Sequence, residues 1–147
     1  MSLKFQPLQA KAALVHEDIE KLTSLLKVLC SYIPSKLHIS KEKFYHALLI
    51  VTFQACGVKT LAERETADGS IDLILELPKI LYIVEIKFNR SAKSALKQIE
   101  EKKYFQPFLQ EKKTIRLLGI GFVCKTQKQT HKTAHFTITT ESGLWSS

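Results

Sequence analysis

Two β-like runs joined by almost nothing constrain this chain most. Ile71 to Leu77 alternates, with Ile71, Leu73, Leu75 and Leu77 on one face. Ile80 to Phe88 is nearly continuous in apolar and β-branched residues, the mark of a buried central strand. Only Pro78-Lys79 lies between them. A two-residue connection forces an antiparallel hairpin and fixes its register: Leu77 faces Ile80, Leu75 faces Tyr82, and Asp72 faces Glu85. Directly opposed side chains have Cβ atoms about 4.5–5.5 Å apart. Lys87 shares the face of Glu85, two residues on, and lies diagonal to Asp72 at about 7–8 Å. A one-residue change in the loop would break this pairing.

Two carboxylates opposed in a sheet repel each other and lose hydration, so stability does not explain them. A divalent cation would remove the repulsion. Two carboxylates plus waters and a substrate phosphate is a coordination that Mg²⁺ prefers. A neighbouring lysine could then orient the attacking water or stabilise charge in the transition state. The bland alternatives are an exposed Glu85–Lys87 pair on an edge strand, and an Asp72 that bonds the turn at Gly69 or Ser70. Ile83, Val84, Ile86 and Phe88 around the pair argue against an edge.

The rest of the chain supplies the layers. Ile19, Leu22, Leu25, Leu26 and Leu29 follow helical spacing within a helix expected from His16 to Tyr32, with Glu17, Asp18 and Glu20 in its opening turn and Pro34 ending it. A second helix is expected after Ser40, through Phe44, Ala47, Leu48, Val51 and Ala55 to a stop at Gly57. Val58 to Thr66 reads as a strand, and Ala67-Asp68-Gly69 as a turn. Ser91 caps a helix expected from Ala92 to about Gln110, with Ala95, Leu96, Ile99 and Phe105 inward. Ile115 to Cys124 is a strand, Lys125 to Lys132 a basic loop, and His135 to Thr139 an edge strand. The expected fold is α/β: a mixed sheet flanked by helices. The 147 residues read as one domain, with 1–40 a helical extension and 41–140 the core.

Composition narrows the function classes. The charge is +8, from 22 Lys+Arg against 14 Asp+Glu, which favours polyanionic partners. Nine basic and three acidic residues fall between Lys87 and Arg116, flanking the proposed site. No apolar run is long enough to span a bilayer, so no membrane partner is expected. Cys30, Cys56 and Cys124 are scattered and odd in number, without metal-ligand spacing. Reduced core cysteines point to the cytoplasm. His131 and His135 lack a nearby carboxylate, and metal binding there is not expected.

Gly69-Ser70-Ile71-Asp72, Glu85-Ile86-Lys87 and Ala95-Leu96-Lys97-Gln98-Ile99 together resemble the restriction-endonuclease-like PD-(D/E)XK nuclease superfamily. The set is most similar to the branch found as the C-terminal domain of bacterial AAA-ATPase-like proteins. The helix opening Phe44-Tyr45-His46, the segment Arg64 to Gly69 and Tyr104 also fit, so the resemblance covers about residues 44–122. It implies Asp72, Glu85 and the Ile86 carbonyl as ligands of Mg²⁺ or Mn²⁺, Lys87 as the catalytic lysine, and Gln98 as a helix residue reaching the site. His46 and Glu65 match loosely an additional histidine or acidic group, with Tyr104 a further site candidate. Arg90, Lys93 and Lys97 are the expected phosphate contacts. The proline that names the family is Ile71 here.

The implied activity is metal-dependent hydrolysis of DNA or RNA phosphodiesters. The alternatives are a catalytically silent module of the same fold that binds nucleic acid or protein, and an interaction module whose motif match is coincidental. Relatives of that branch carry an ATPase domain, whereas these residues hold no GxxxxGK[ST] stretch, so no nucleotide binding is expected. An ATPase or other protein is an expected partner, and a homodimer the other arrangement open to so short a chain.

Overall fold

A computed structural model describes residues 4–34, 37, 42–66, 69–103, 108, 112–126 and 134–145, with only the backbone for 124–126, 134–137 and 144–145. Three helices come first: α1 (Pro7–Val15), α2 (Ile19–Ser31) and α3 (Glu42–Ala55). Then follow β1 (Lys59–Thr66), β2 (Gly69–Glu76), β3 (Ile80–Phe88), α4 (Ala92–Lys102), β4 (Thr114–Thr126) and β5 (Ala134–Trp145). The five strands form one sheet in the order β1-β2-β3-β4-β5. All neighbours are antiparallel except β3 and β4, which run parallel through the α4 crossover. The fold is a mixed α/β sheet flanked by helices, as expected.

The hairpin register is the expected one. The amide of Leu77 donates to the Ile80 carbonyl at 2.9 Å, closing the loop over Pro78-Lys79. Leu75 pairs with Tyr82 and Leu73 with Val84. β3 sits at the centre, and all residues from Ile80 to Ile86 are buried. One face of the sheet carries Leu73, Leu75, Tyr82, Val84, Ile86, Leu118 and Ile120 against α1, α2 and α3. The other carries Ile71, Ile74, Leu81, Ile83 and Leu117 against Ile99 of α4 and Phe108, so Ile71 does not share the face of Leu73, Leu75 and Leu77 expected for it. Covering both faces explains why β2 buries Ile74 as well as the alternating set.

The N-terminal region departs from expectation. The single helix from His16 to Tyr32 is α2 alone, and a separate α1 precedes it with Pro7 in its first turn. Glu17 takes a left-handed φ of 56°, which breaks the chain between the two helices. Asp18 is therefore the N-cap of α2, its carboxylate accepting from the Lys21 amide at 3.1 Å. Glu17 instead pairs with Arg116 of β4 at 3.1 Å. Further along, α4 ends at Lys102 rather than near Gln110, because Lys103 turns left-handed with φ 51° and caps it. Pro107 excludes a continuous helix to Gln110 in any case. β5 is longer than the expected His135–Thr139, spanning 12 residues at the sheet edge.

Ser40, the Ala67-Asp68 part of the turn, Tyr104, Phe105 and the loop residues beyond Thr126, His131 included, lie outside the described residues. Cys30 and Cys56 are free and buried. Among the described residues no helix is long and apolar enough to cross a membrane.

Candidate metal centre

The sheet opens where the carboxylates meet. The β2–β3 pairs run from Glu76–Leu81 only as far as Leu73–Val84. Beyond that rung β3 continues with β4, while β2 continues with β1. Asp72 and Glu85 hold the next positions of the same register, so they face each other across the opening. The Asp72 carboxylate closes part of the gap by accepting from the Ile86 amide at 2.8 Å. That amide would otherwise be a buried donor without its ladder partner. On the other side of Asp72, the β1–β2 ladder skips the rung at Glu63, whose φ of 49° is left-handed. Such a backbone costs a non-glycine residue about 1–2 kcal/mol.

Glu85 is 3% exposed. Its Oε1 accepts from Gln98 Nε2 at 2.6 Å and lies 3.5 Å from Lys87 Nζ. Its Oε2 is buried, with no hydrogen-bond donor among the described residues. Burial first, then the charge of Asp72, push the Glu85 carboxyl up to about 8, with Lys87 pulling it back. Asp72 is raised too, by burial, and held back by the Ile86 amide and by His46. His46 Nε2 stands 3.6 Å from Asp72 Oδ2, too far for a hydrogen bond, and has no hydrogen-bond partner among the described residues.

These residues fit a hard divalent cation. Two crowded carboxylates, both disfavoured as anions by burial, and a free buried Oε2 are what a cation would relieve. Among the described residues no three His, Cys, Asp or Glu side chains gather into a cage. Two carboxylates with oxygen donors otherwise drawn from backbone and water suit Mg²⁺ or Mn²⁺, which keep several waters.

The structure brings together Asp72, Glu85, Lys87, Gln98 and the Ile86 backbone, with His46 reaching in from α3. It does not bring Glu65, which stands exposed on edge strand β1 opposite Ser70. The charges acting on Asp72 are instead those of His46, Glu42 and Lys87. Glu42 was not singled out from the sequence. Its signal was the four-residue spacing to His46, which puts both on one face of α3. Arg90, Lys93 and Lys97 are exposed, at the start of α4 and on its outer face. Lys97 is partly engaged, 3.6 Å from Glu101.

A sequence model described as the PD-(D/E)XK nuclease superfamily matches residues 40–132, more than half of the chain. The match takes in α3 to β4 with every residue of the centre, and leaves α1 and α2 outside it. No curated protein matches the chain.

Proposed function

The chain belongs to the PD-(D/E)XK nuclease superfamily, and from that premise we propose that it hydrolyses phosphodiester bonds of DNA, or of RNA by the same chemistry. The observation that carries this reading is the buried Glu85 facing Asp72, with Oε2 free and Lys87 alongside. Nucleases of this superfamily generally use divalent metal ions. Asp72, Glu85 and the Ile86 carbonyl would hold Mg²⁺ or Mn²⁺ here. When bound, the cation neutralises the carboxylates, polarises the scissile phosphate and lowers the pKa of a water.

The chain's own residues do the rest. The Ile86 amide fixes Asp72, and Gln98 fixes Glu85 through Oε1. Lys87 brings a positive charge to the side where the attacked phosphate gathers negative charge, and orients the water that attacks it. Arg90, Lys93 and Lys97 draw in the phosphates on either side.

Cleavage of DNA and RNA with Mg²⁺ or Mn²⁺ tests the reading, with Lys87→Ala and Glu85→Ala as controls. The expected loss for Lys87→Ala is about 10²–10³-fold, the scale of removing one preorganised donor. Unchanged activity in either variant would overturn it. Salt-sensitive binding without cleavage under any metal would select the silent binding module instead.

A further inference from the structure

Gly119 and Gly121 lie on β4 directly beside the centre. In the parallel ladder Glu85 pairs with Gly119 and Lys87 with Gly121, so all four share the face that α4 covers. A β-carbon at Gly119 would stand against the Ala92 carbonyl oxygen, 2.7 Å from the Leu96 amide nitrogen and 3.1 Å from Ala95 Cβ. One at Gly121 would stand 2.7 Å from both the Ala92 nitrogen and the Arg90 oxygen. Most of these obstacles are backbone atoms, which cannot rotate away. Gly143 on β5 shows the contrast: a β-carbon there would meet only flexible side-chain atoms, Leu96 Cδ1 at 3.7 Å foremost.

The helix answers in kind. Ala92 and Ala95 are small and buried on its inner face. Gln98 follows Ala95 by one turn and ends 2.6 Å from Glu85 Oε1. Lifting α4 by about 1 Å would carry that contact past the ~3.2 Å limit of a good N–H···O bond. Glu85 would then keep only the longer Lys87 contact on that oxygen, while its other oxygen is buried with no hydrogen-bond donor among the described residues.

We infer that Gly119, supported by Gly121, sets the height of α4 over β3 and so delivers Gln98 to Glu85. The two glycines are positioning residues for the metal centre, and the inference rests on the metal-dependent reading above only for its effect on Mn²⁺.

Two readouts test it. The first is the side-chain amide of Gln98, followed by ¹⁵N NMR in the full chain. Gly119→Ala is expected to move that amide away from its Glu85-bonded shift and to speed its exchange, and Ala95→Val to do the same from the helix side. Gly143→Ala leaves it unchanged. The second is Mn²⁺ affinity by calorimetry. Gly119→Ala lowers it about tenfold, the lower end for losing a residue that orients a ligand. Adding Gln98→Ala to Gly119→Ala lowers it no further.

A folded Gly119→Ala or Ala95→Val protein with the Gln98 amide undisturbed overturns the inference, as does an additive effect in the double variant. If Gly119→Ala fails to fold, Ala95→Val decides by the same amide signal. If the wild-type chain binds no Mn²⁺, the proposed function falls, and the amide signal still judges the glycines.

Discussion

The charge on Glu85 governs the centre at the scale of single residues. Its ordinary carboxyl value is 4.5, and burial beside Asp72 takes it to about 8. The folded value is raised above the unfolded one, so the metal-free fold holds a proton that the unfolded chain releases. The stability this contributes is full below about pH 4.5 and is lost as pH rises through 8. Asp72, raised as well, adds in the same direction. The melting temperature in EDTA should therefore fall between pH 5 and 8, as measured by calorimetry, by an amount the Glu85→Gln variant reduces. A cation reverses the trend, because its ligands must be deprotonated to bind it. Added Mn²⁺ should raise the melting temperature more at pH 8 than at pH 5. An Mn²⁺ effect independent of pH, or unaltered in Glu85→Gln, would show that Glu85 is not a ligand. Glu42 belongs to this scale too. Its carboxylate opposes the Asp72 anion, so Glu42→Gln should lower the pKa of Asp72, readable by ¹³C NMR of the carboxyl carbon.

Among the elements, α1 is tied to the sheet by one buried bond. Tyr82 in the central strand donates its hydroxyl to the Leu14 carbonyl at 2.6 Å, at the C-terminal end of α1. Tyr82→Phe removes the shorter of two bonds to that carbonyl, which also accepts from the Glu17 amide at 3.3 Å, and should cost about 1 kcal/mol. For a chain of this size that is a fall of roughly 2–4 °C in melting temperature. Burial pushes the Tyr82 hydroxyl up to about 12, so the loss should not change between pH 6 and 9. Cleavage should be unaffected, since α1 lies away from the centre.

The same elements show what sequence carries and what it does not. The β2–β3 hairpin was legible because Pro78-Lys79 leaves no slack, and its register alone sets Asp72 against Glu85. α1 was not legible. Its apolar residues surround it, with Leu8 81% exposed while Leu14 is buried, so no stripe announces a face. The end of α4 falls at Lys102 because Lys103, a residue type that favours helix, turns left-handed with φ 51°, and no local pattern announces that turn. The parting of β2 from β3 was hidden for a different reason. β2 leaves β3 after the Leu73–Val84 rung while keeping its pairing with β1, and the parallel pairing of β3 with β4 along the other edge is a long-range contact that no local pattern encodes. Gly119 and Gly121 carry meaning only once that pairing puts α4 over them.

On the scale of the whole molecule, charge and shape divide the work. The chain carries +8, and α4 begins beside the centre with Arg90, Lys93 and Lys97 all exposed. The sheet's other face carries α1, α2 and α3 and their buried leucines, while α4 covers the face that holds Glu85. A polyanion drawn by the net charge would therefore meet the opening from the α4 side. Each phosphate neutralised on a duplex contributes about −0.9 to the slope of log affinity against log salt, and about −0.7 on a single strand. Replacing Arg90, Lys93 and Lys97 together by Gln should reduce the slope by about 2–3 if all three touch phosphate. Lys97 is the one to fall short, because its contact with Glu101 already offsets part of its charge. The measurement is fluorescence anisotropy of labelled duplex and single-stranded DNA across a salt series in EDTA, where binding is read without cleavage. An unchanged slope would move the phosphate path away from α4. A slope reduced alike in wild-type and Lys87→Ala backgrounds would separate the surface that gathers nucleic acid from the residues proposed to cut it.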